Sequence, residues 1–254
     1  MPDAQAEAPS RLLLLAETRA LGEIALGLAS RRTFAAAPRG DGHTVLVLPG
    51  FLGSDKSTEF LRETLNRLGH RAVGWELGRN LGPNAQIRER LAERVHTLHR
   101  ESGGRISIVG WSLGGVYARA IALRTPETVR GVVSLGSPFR GNLRASHAAP
   151  LYDVIAADPI SRGTPADVAA LAGPLPVPAT SIYSRSDGIV HWRTSVGETS
   201  PTAENIEVFG ASHFGLGFNP AVLWAVADRV AQPEHRFRPF RPTGPFWPAY
   251  RLSK

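Results

Sequence analysis

The 254-residue sequence contains no cysteine. This absence excludes a disulfide framework, thiolate zinc sites, iron–sulfur clusters and a cysteine nucleophile. The composition, with 43% hydrophobic and 20% charged residues, is typical of a globular chain and not of a disordered one. Because α/β folds commonly reach about 200–250 residues as one unit, we expect one domain with a sizeable core.

Lysine is scarce as well, since Lys56 and Lys254 are the only two and arginine supplies the rest of the Lys+Arg count. The formal net charge of +7 raises nucleic acid or an acidic membrane surface as partners. Positions 232–254 hold five basic residues and one acid, however, so the rest of the chain carries an excess of only +3. With no Gly-rich phosphate motif and no recognised nucleic-acid module, we expect no nucleic-acid partner.

The sequence also lacks a run of about 18 uncharged apolar residues that would span a membrane. Its most apolar early stretch, 11–30, is interrupted by Glu17, Arg19 and Glu23. The acids at positions 3 and 7 lie where a signal peptide has a positively charged region, so we do not expect a signal peptide. The leucine spacing predicts instead an amphipathic helix over 11–30, either docked on the body or acting at a membrane surface or on a partner. We therefore expect a cytoplasmic protein, with peripheral membrane contact through this helix or the C-terminal tail as the alternative.

From His43 onward, short apolar runs alternate with amphipathic segments. The predicted strands are 45–48, 72–75, 106–109 and 129–135, followed later by 180–183 and 205–209. The predicted helices are 58–68, 85–101, 113–123 and 220–231. This alternation predicts an α/β fold with a mostly parallel sheet that is covered by helices on both faces.

A proline-rich stretch over 137–178 interrupts the alternation, and short helices are expected within it at 151–157 and 165–171. We interpret it as a cap or lid insertion at the C-terminal edge of the sheet, where ligands bind in open α/β folds. The final stretch, 233–254, is rich in proline, aromatic and basic residues, and is either a strap that packs on the body or a contact for anionic lipid or a partner. The expected organisation is thus a single domain over 1–254, with a helix at 11–30, a core at about 43–136 and 177–232, the insertion and the strap.

The strongest chemical signal is the hexapeptide G-W-S-L-G-G at 110–115. It follows a predicted strand and opens a predicted helix, which is the context of a nucleophile elbow. A serine on such a sharp turn needs small neighbours, and Gly110 and Gly114 supply them. The turn lifts the hydroxyl of Ser112 above the sheet edge, so Ser112 is the predicted nucleophile.

A serine nucleophile needs a histidine base, oriented by an acid. His213 comes directly after the last predicted strand and is therefore placed at the same sheet edge as Ser112; the other downstream histidines are His147, His191 and His235. Asp187 follows the strand 180–183 and is the predicted acid, although Asp187-Gly188 also suits a simple turn. The fallback acids are Glu198, Glu204 and Glu207.

Two backbone N–H groups are expected to hold the oxyanion. One belongs to Leu113, next to the nucleophile, and the other to Phe51, in the loop after the first predicted strand. Gly50 and Gly53 permit the tight backbone that this loop needs.

Together, P-G-F-L-G at 49–53, the elbow, Ser186-Asp187-Gly188 and Ala211-Ser212-His213 resemble the α/β-hydrolase superfamily, and within it the bacterial triacylglycerol lipases and esterases. The resemblance covers about 43–232. It implies an α/β-hydrolase fold, a catalytic triad of Ser112, Asp187 and His213, no cofactor, no catalytic metal, and small-molecule or lipid esters as substrates. Pro49 stands where many of these lipases have histidine, and this departure bears on subgroup and acyl preference.

The expected function is a serine esterase or lipase that forms an acyl-serine intermediate. Apolar residues beside the triad suit an acyl chain, and those predicted to contact substrate are Leu52, Trp111, Phe139 and Phe214, with Phe51 beside them. Arg79, Asn80 and Asn84 lie in a loop at the same edge; they are expected to be solvated loop residues, with contact to a polar head group of the substrate as the alternative. An acyltransferase that uses the same triad and a non-enzymatic hydrolase-like binding module remain the alternatives; the sequence does not indicate an oligomeric state.

Overall fold

A computed structural model describes residues 7–141, 145–149 and 165–252. Within them, a single seven-stranded sheet runs in the order β2-β1-β3-β4-β5-β6-β7. The strands are β1 (Thr44–Leu48), β2 (Arg71–Gly74), β3 (Ile106–Trp111), β4 (Val129–Leu135), β5 (Ala179–Tyr183), β6 (Ala203–Val208) and β7 (Tyr250–Leu252). The first six strands pair in parallel and β7 pairs antiparallel to β6. The predicted α/β class and mostly parallel sheet are confirmed.

The central strands are apolar on both faces because each face is covered by helices. Val45 and Val47 of β1 point into one core, while Leu46 and Leu48 point into the other. All five residues of β1 and all six of β3 are buried. Continuous burial of this kind places the sheet between two separate hydrophobic layers.

The helices that cover these layers follow the predicted amphipathic segments closely. They are α1 (Arg11–Leu15), α2 (Ala20–Ala29), α3 (Glu59–Arg67), α4 (Ala85–Ser102), α5 (Leu113–Arg124), α6 (Pro165–Ala172) and α7 (Pro220–Val230). The core on one face includes buried residues of α3 and α7, and the core on the other includes those of α4 and α5. No helix among the described residues is long and apolar enough to cross a membrane.

The N-terminal helix differs from its prediction in two respects. A 3₁₀ turn at Ala16–Arg19 divides it into α1 and α2. It docks on the body, but its inward residues are Glu17, Ala20 and Gly27, and its large leucines face outward: Leu12, Leu14, Leu15, Leu21, Leu26 and Leu28 are exposed. A Cβ on Gly27 would lie 2.3 Å from the carbonyl oxygen of Phe218, so this face fits the body through small and charged residues.

The C-terminal strap packs three of its aromatics, Phe240, Phe246 and Tyr250, on the body. Phe240 and Tyr250 are buried and contact each other with ring centroids 4.8 Å apart, and Phe246 packs edge-on against Trp224 of α7. β7 extends the sheet by pairing with β6, a short edge strand that the proline density had not suggested. Contact of the strap or the N-terminal helix with a membrane stays a prediction.

The predicted cap or lid at about 137–178 lies partly outside the described residues, and the helix expected at 151–157 lies wholly outside them. The helix expected at 165–171 is present as α6. Arg119 of α5 ties the end of α6 to the body, because its guanidinium donates hydrogen bonds of 2.6 Å to the carbonyl oxygens of Leu171 and Gly173. The capping role of this segment stays a prediction.

Candidate active site

Ser112 occupies a strained turn between β3 and α5. Its φ of 53° and ψ of −121° are backbone angles that non-glycine residues rarely adopt. A Cβ on Gly110 would lie 2.3 Å from the carbonyl oxygen of Gly114, and one on Gly114 would lie 2.4 Å from that of Leu48. The glycines at both positions are therefore needed for the turn to close, as the sequence predicts.

A chain of hydrogen bonds connects the three predicted triad residues. Nε2 of His213 lies 3.1 Å from Oγ of Ser112, and Nδ1 lies 2.7 Å from Oδ2 of Asp187. The other carboxylate oxygen of Asp187 accepts from the backbone N–H groups of Ile189 and Val190, at 2.9 and 2.8 Å. Since the residues follow β3, β5 and β6, their meeting point is the carboxyl edge of the parallel sheet.

The alternative acids and histidines lie elsewhere. Glu204 and Glu207 form ion pairs with arginines, at 2.6 Å to Arg229 and 3.1 Å to Arg185, and Glu198 is exposed. His147 contacts the carbonyl oxygen of Pro9, His191 caps a 3₁₀ turn, and His235 lies beside Arg105. Among the described residues, His213 is the only histidine whose ring is hydrogen-bonded to the hydroxyl of Ser112.

Burial of His213 favours the neutral imidazole, but the pKa of His213 is nevertheless raised above its ordinary 6.5. The charge of Asp187, its hydrogen bond to Nδ1, and the charge of Glu17 outweigh the burial. The raised pKa means that the site stabilises an imidazolium, which is the state that a histidine base reaches after it takes a proton.

The loop after β1 lies directly against Ser112. A Cβ on Gly50 would be 3.1 Å from Cβ of Ser112, and Leu52 holds a positive φ of 62°. Asn80 keeps this loop in place: its side-chain amide donates to the carbonyl oxygen of Pro49 at 2.9 Å, and its backbone carbonyl accepts from the N–H of Leu52 at 2.7 Å. Phe51 belongs to this loop and Leu113 directly follows Ser112. Their N–H groups stay the predicted oxyanion donors.

Sequence similarity to curated proteins covers only part of the chain. No family model matches the chain. It is 31% identical to the mouse (Mus musculus) serine hydrolase BPHL over 105 residues, which are 37% of this chain and 36% of that protein. It is 31% identical to a triacylglycerol lipase of Pseudarthrobacter phenanthrenivorans over 78 residues, 31% of this chain and 24% of the lipase. The chain therefore matches only about a third or less of the length of these curated relatives.

The whole architecture decides the fold. A solved structure from the metagenome-derived lipolytic enzymes LipS and LipT matches with a TM-score of 0.55, over 76% of this chain and 93% of that one, at 19% sequence identity. The chain has the α/β-hydrolase fold. The resemblance drawn from the sequence is thus confirmed for the fold.

Two of the residues predicted to contact substrate, Trp111 and Phe139, are buried in the core of this fold, which counts against the predicted contact. Trp111 is buried, donates from Nε1 to the carbonyl oxygen of His213 at 3.2 Å, and packs under the histidine loop. Phe139 is fully buried beneath the guanidinium of Arg119, which lies 4.1 Å from the ring centroid. Phe214 is 54% exposed beside His213 and Leu52 is 37% exposed, so these two remain available to a substrate.

Asn80 was expected to be a solvated loop residue, and the structure shows that this expectation is wrong. It is fully buried, and its Oδ1 accepts from the N–H of Gly82 and the hydroxyl of Tyr117. Asn84 is the N-cap of α4, where it accepts from the N–H of Ile87 at 2.8 Å, and Arg79 is exposed.

Sequence reasoning missed two further features of the site. Gly136, directly after β4, has a φ of +52°, and a Cβ there would lie 3.0 Å from Oδ2 of Asp187 and 3.3 Å from Nδ1 of His213. A glycine at the end of a buried strand, at the edge already assigned to catalysis, was the available signal. Glu17, from the N-terminal segment, contacts the loops of both His213 and Asp187; its acidity inside an apolar helix was the only hint.

One group of side chains has the composition of a metal site. The donor atoms of Asp41, His43 and His70 lie within 4.8 Å of one another. They precede β1 and β2, at the amino edge of the sheet and away from Ser112. His43 also contacts Ser107, and Arg130 pairs with Asp41 at 2.8 Å. We assign this group no part in the chemistry of the triad.

Proposed function

We propose that this α/β-hydrolase is a serine hydrolase of carboxylic esters, an esterase or lipase. The observation that carries the proposal is the hydrogen-bonded chain from Ser112 through His213 to Asp187, built on a strained nucleophile turn. The fold neighbours include lipolytic enzymes, and the curated relatives include a triacylglycerol lipase and a serine hydrolase, which supports the same class of reaction.

The geometry leads to a two-step acyl transfer. Oγ of Ser112 attacks the ester carbonyl carbon while Nε2 of His213 takes the hydroxyl proton. Collapse of the tetrahedral intermediate breaks the bond to the alkoxy oxygen, and His213 returns the proton to the departing alcohol. Water then attacks the acyl carbon while His213 takes its proton; collapse breaks the acyl–Oγ bond, His213 returns the proton to Oγ of Ser112, and the acid is released.

The tetrahedral intermediate carries a negative oxygen that needs donors. We assign these donors to the backbone N–H groups of Leu113, at the N-terminus of α5, and Phe51, in the loop that Gly50 presses against Ser112. Leu52, in the same loop as Phe51, and Phe214, in the loop of His213, have exposed apolar side chains that are suited to contact the acyl or alcohol part of the ester.

The proposal is tested with p-nitrophenyl esters from acetate to palmitate. We expect turnover by the wild-type protein, and a loss of about 10³-fold to 10⁶-fold in kcat for Ser112→Ala, because no other described hydroxyl is hydrogen-bonded to His213. A fluorophosphonate should add to Ser112 in the wild type, as seen by peptide mass, and should leave Ser112→Ala unmodified.

Absence of both turnover and labelling in folded wild-type protein contradicts the proposal, and so does full activity in Ser112→Ala. Added alcohols distinguish hydrolysis from acyl transfer. If an alcohol takes up the acyl group in preference to water at low concentration, the protein is an acyltransferase that uses the same triad.

A further inference from the structure

The N-terminal segment places two charged side chains against both loops that carry the base and the acid of the triad. Glu17 and Arg19 belong to the 3₁₀ turn between α1 and α2. The acid loop follows β5 and the base loop follows β6, so each is held by its own strand. A group that binds both loops at once fixes their relative position, on which the distance from His213 to Asp187 depends.

Glu17 binds the N–H side of the two loops. Its Oε1 accepts from the backbone N–H of Gly188 at 2.8 Å and from that of His213 at 3.0 Å, and its Oε2 accepts from the N–H of Phe214 at 3.1 Å. The residue is only 6% exposed. A buried carboxylate that accepts three backbone N–H groups is a strong, charge-assisted anchor.

Arg19 binds the carbonyl side of the same loops. Its guanidinium donates to the carbonyl oxygens of Gly210 and Ala211 at 3.1 and 3.2 Å, and also to that of Ser186. Nη2 of Arg19 lies 4.0 Å from Oε1 of Glu17. The positive side chain thus binds backbone carbonyl groups, and the negative side chain binds backbone N–H groups. Each of the two side chains therefore connects the loop of Asp187 to the loop of His213.

The contact surface is closely fitted and is not a loose surface association. A Cβ on Gly188 would lie 2.2 Å from the carbonyl oxygen of Leu13 and 2.9 Å from Cγ of Glu17. In α2, Glu23 accepts from the N–H of Ser212 at 2.8 Å, and a Cβ on Gly215 would lie 2.4 Å from its carboxyl carbon. Glycine at both loop positions leaves the space that these acids occupy.

We propose that Glu17 is a positioning residue for the triad: its carboxylate ties the acid loop to the base loop and directs a fixed negative charge toward His213, with Arg19 bracing the same two loops. This inference rests on the proposed function. It explains why a leucine-rich segment buries an acid, because Glu17 contacts the two loops of the site while the large leucines are exposed.

The test is Glu17→Gln in the full chain, with Glu7→Gln as a matched control, since Glu7 is an exposed acid just upstream. We expect kcat of Glu17→Gln on a p-nitrophenyl ester to fall by roughly 10-fold to 100-fold, with KM little changed, because a small displacement of a catalytic group is costly. Glu7→Gln should behave as wild type.

The pH profile separates positioning from a merely structural role. The charged groups that face His213 are Asp187, from the acid loop, and Glu17, with Glu23 and Arg19 bound to the backbone of its loop. Losing the negative charge of Glu17 should move the acid limb of kcat/KM to lower pH, by roughly half a unit. Arg19→Gln should lower kcat while leaving the acid limb near its wild-type position.

An unchanged kcat and an unchanged acid limb in folded Glu17→Gln overturn the inference while leaving the proposed function intact. If instead the wild type shows neither turnover nor fluorophosphonate labelling at Ser112, the proposed function itself fails. If circular dichroism shows that Glu17→Gln does not fold, Glu17→Asp is the decisive variant. Aspartate keeps the negative charge but is one methylene shorter, so kcat should fall while the acid limb of kcat/KM stays at its wild-type pH. Wild-type kcat in that variant contradicts the inference.

Discussion

His213 is the residue whose protonation sets the pH dependence of the proposed reaction. Burial opposes its charge, but Asp187 and Glu17 raise its pKa above 6.5. Because only the neutral imidazole accepts the proton of Ser112, activity is present above this pKa and is lost as the pH falls through it. We predict an acid limb of kcat/KM that lies above pH 6.5, measured with a p-nitrophenyl ester from about pH 5 to pH 9. A limb below 6.5 contradicts the net stabilisation of the imidazolium by Asp187 and Glu17.

At the scale of the element, the loop after β1 depends on one side chain from a different loop. The side chain of Asn80 is fully buried. It is hydrogen-bonded to the carbonyl oxygen of Pro49, the N–H of Gly82 and the hydroxyl of Tyr117. Because this loop lies against Ser112, the side-chain amide of Asn80, together with the backbone hydrogen bond from Leu52 to Asn80, holds the element that we expect to stabilise the oxyanion. The same stretch also supplies Asn84, whose role at the start of α4 is purely local.

Asn80→Ala leaves the carbonyl of Pro49 and the N–H of Gly82 without this partner, a cost of about 1–3 kcal/mol per buried group. We predict that kcat falls by at least about 10-fold, because the oxyanion donors lose their fixed position. Asn84→Ala is the matched control: it removes a helix cap, which costs about 1 kcal/mol of stability, and should keep kcat. Steady-state kinetics and thermal melts of both variants decide the point, and equal kcat values in the two variants would contradict it.

The N-terminal segment shows where an element's sequence and its packing diverge. Its leucine spacing predicts a helix, and helices form there, but the same leucines are exposed and the docked face carries Glu17, Ala20 and Gly27. Periodicity reports which residues share a face and does not report what that face contacts. Glu17 and Glu23, two of the charged residues that interrupt the apolar stretch 11–30 in the sequence, are the acids that bind the loops of Asp187 and His213.

For the whole molecule, the sequence was sufficient to predict those features that depend on residues close together in the chain. The strand β4 over Val129–Leu135 and the elbow at Ser112 were predictable because burial and turn geometry leave direct marks on neighbouring residues. The bond from Glu17 to His213 spans 196 positions and joins two segments without any shared pattern. Contacts of this kind are set by the packing of finished elements, so the sequence alone did not reveal them.

The C-terminal strap is part of the folded body and not an appendage, because Phe240 is 3% exposed and packs on Tyr250, next to the core that contains α7. Phe240→Ala should therefore destabilise the whole molecule by about 3–5 kcal/mol, which corresponds to a fall in Tm on the order of 10 °C for a chain of this size. The matched control is Trp247→Ala, which removes a larger aromatic side chain from the same strap. Because Trp247 is 62% exposed, the Tm of the Trp247→Ala variant should stay within about 2 °C of that of the wild type. Calorimetry of the two variants measures both shifts. If Phe240→Ala melts with the wild type, the strap does not contribute to the core, and its aromatic and basic residues must be explained by a partner instead.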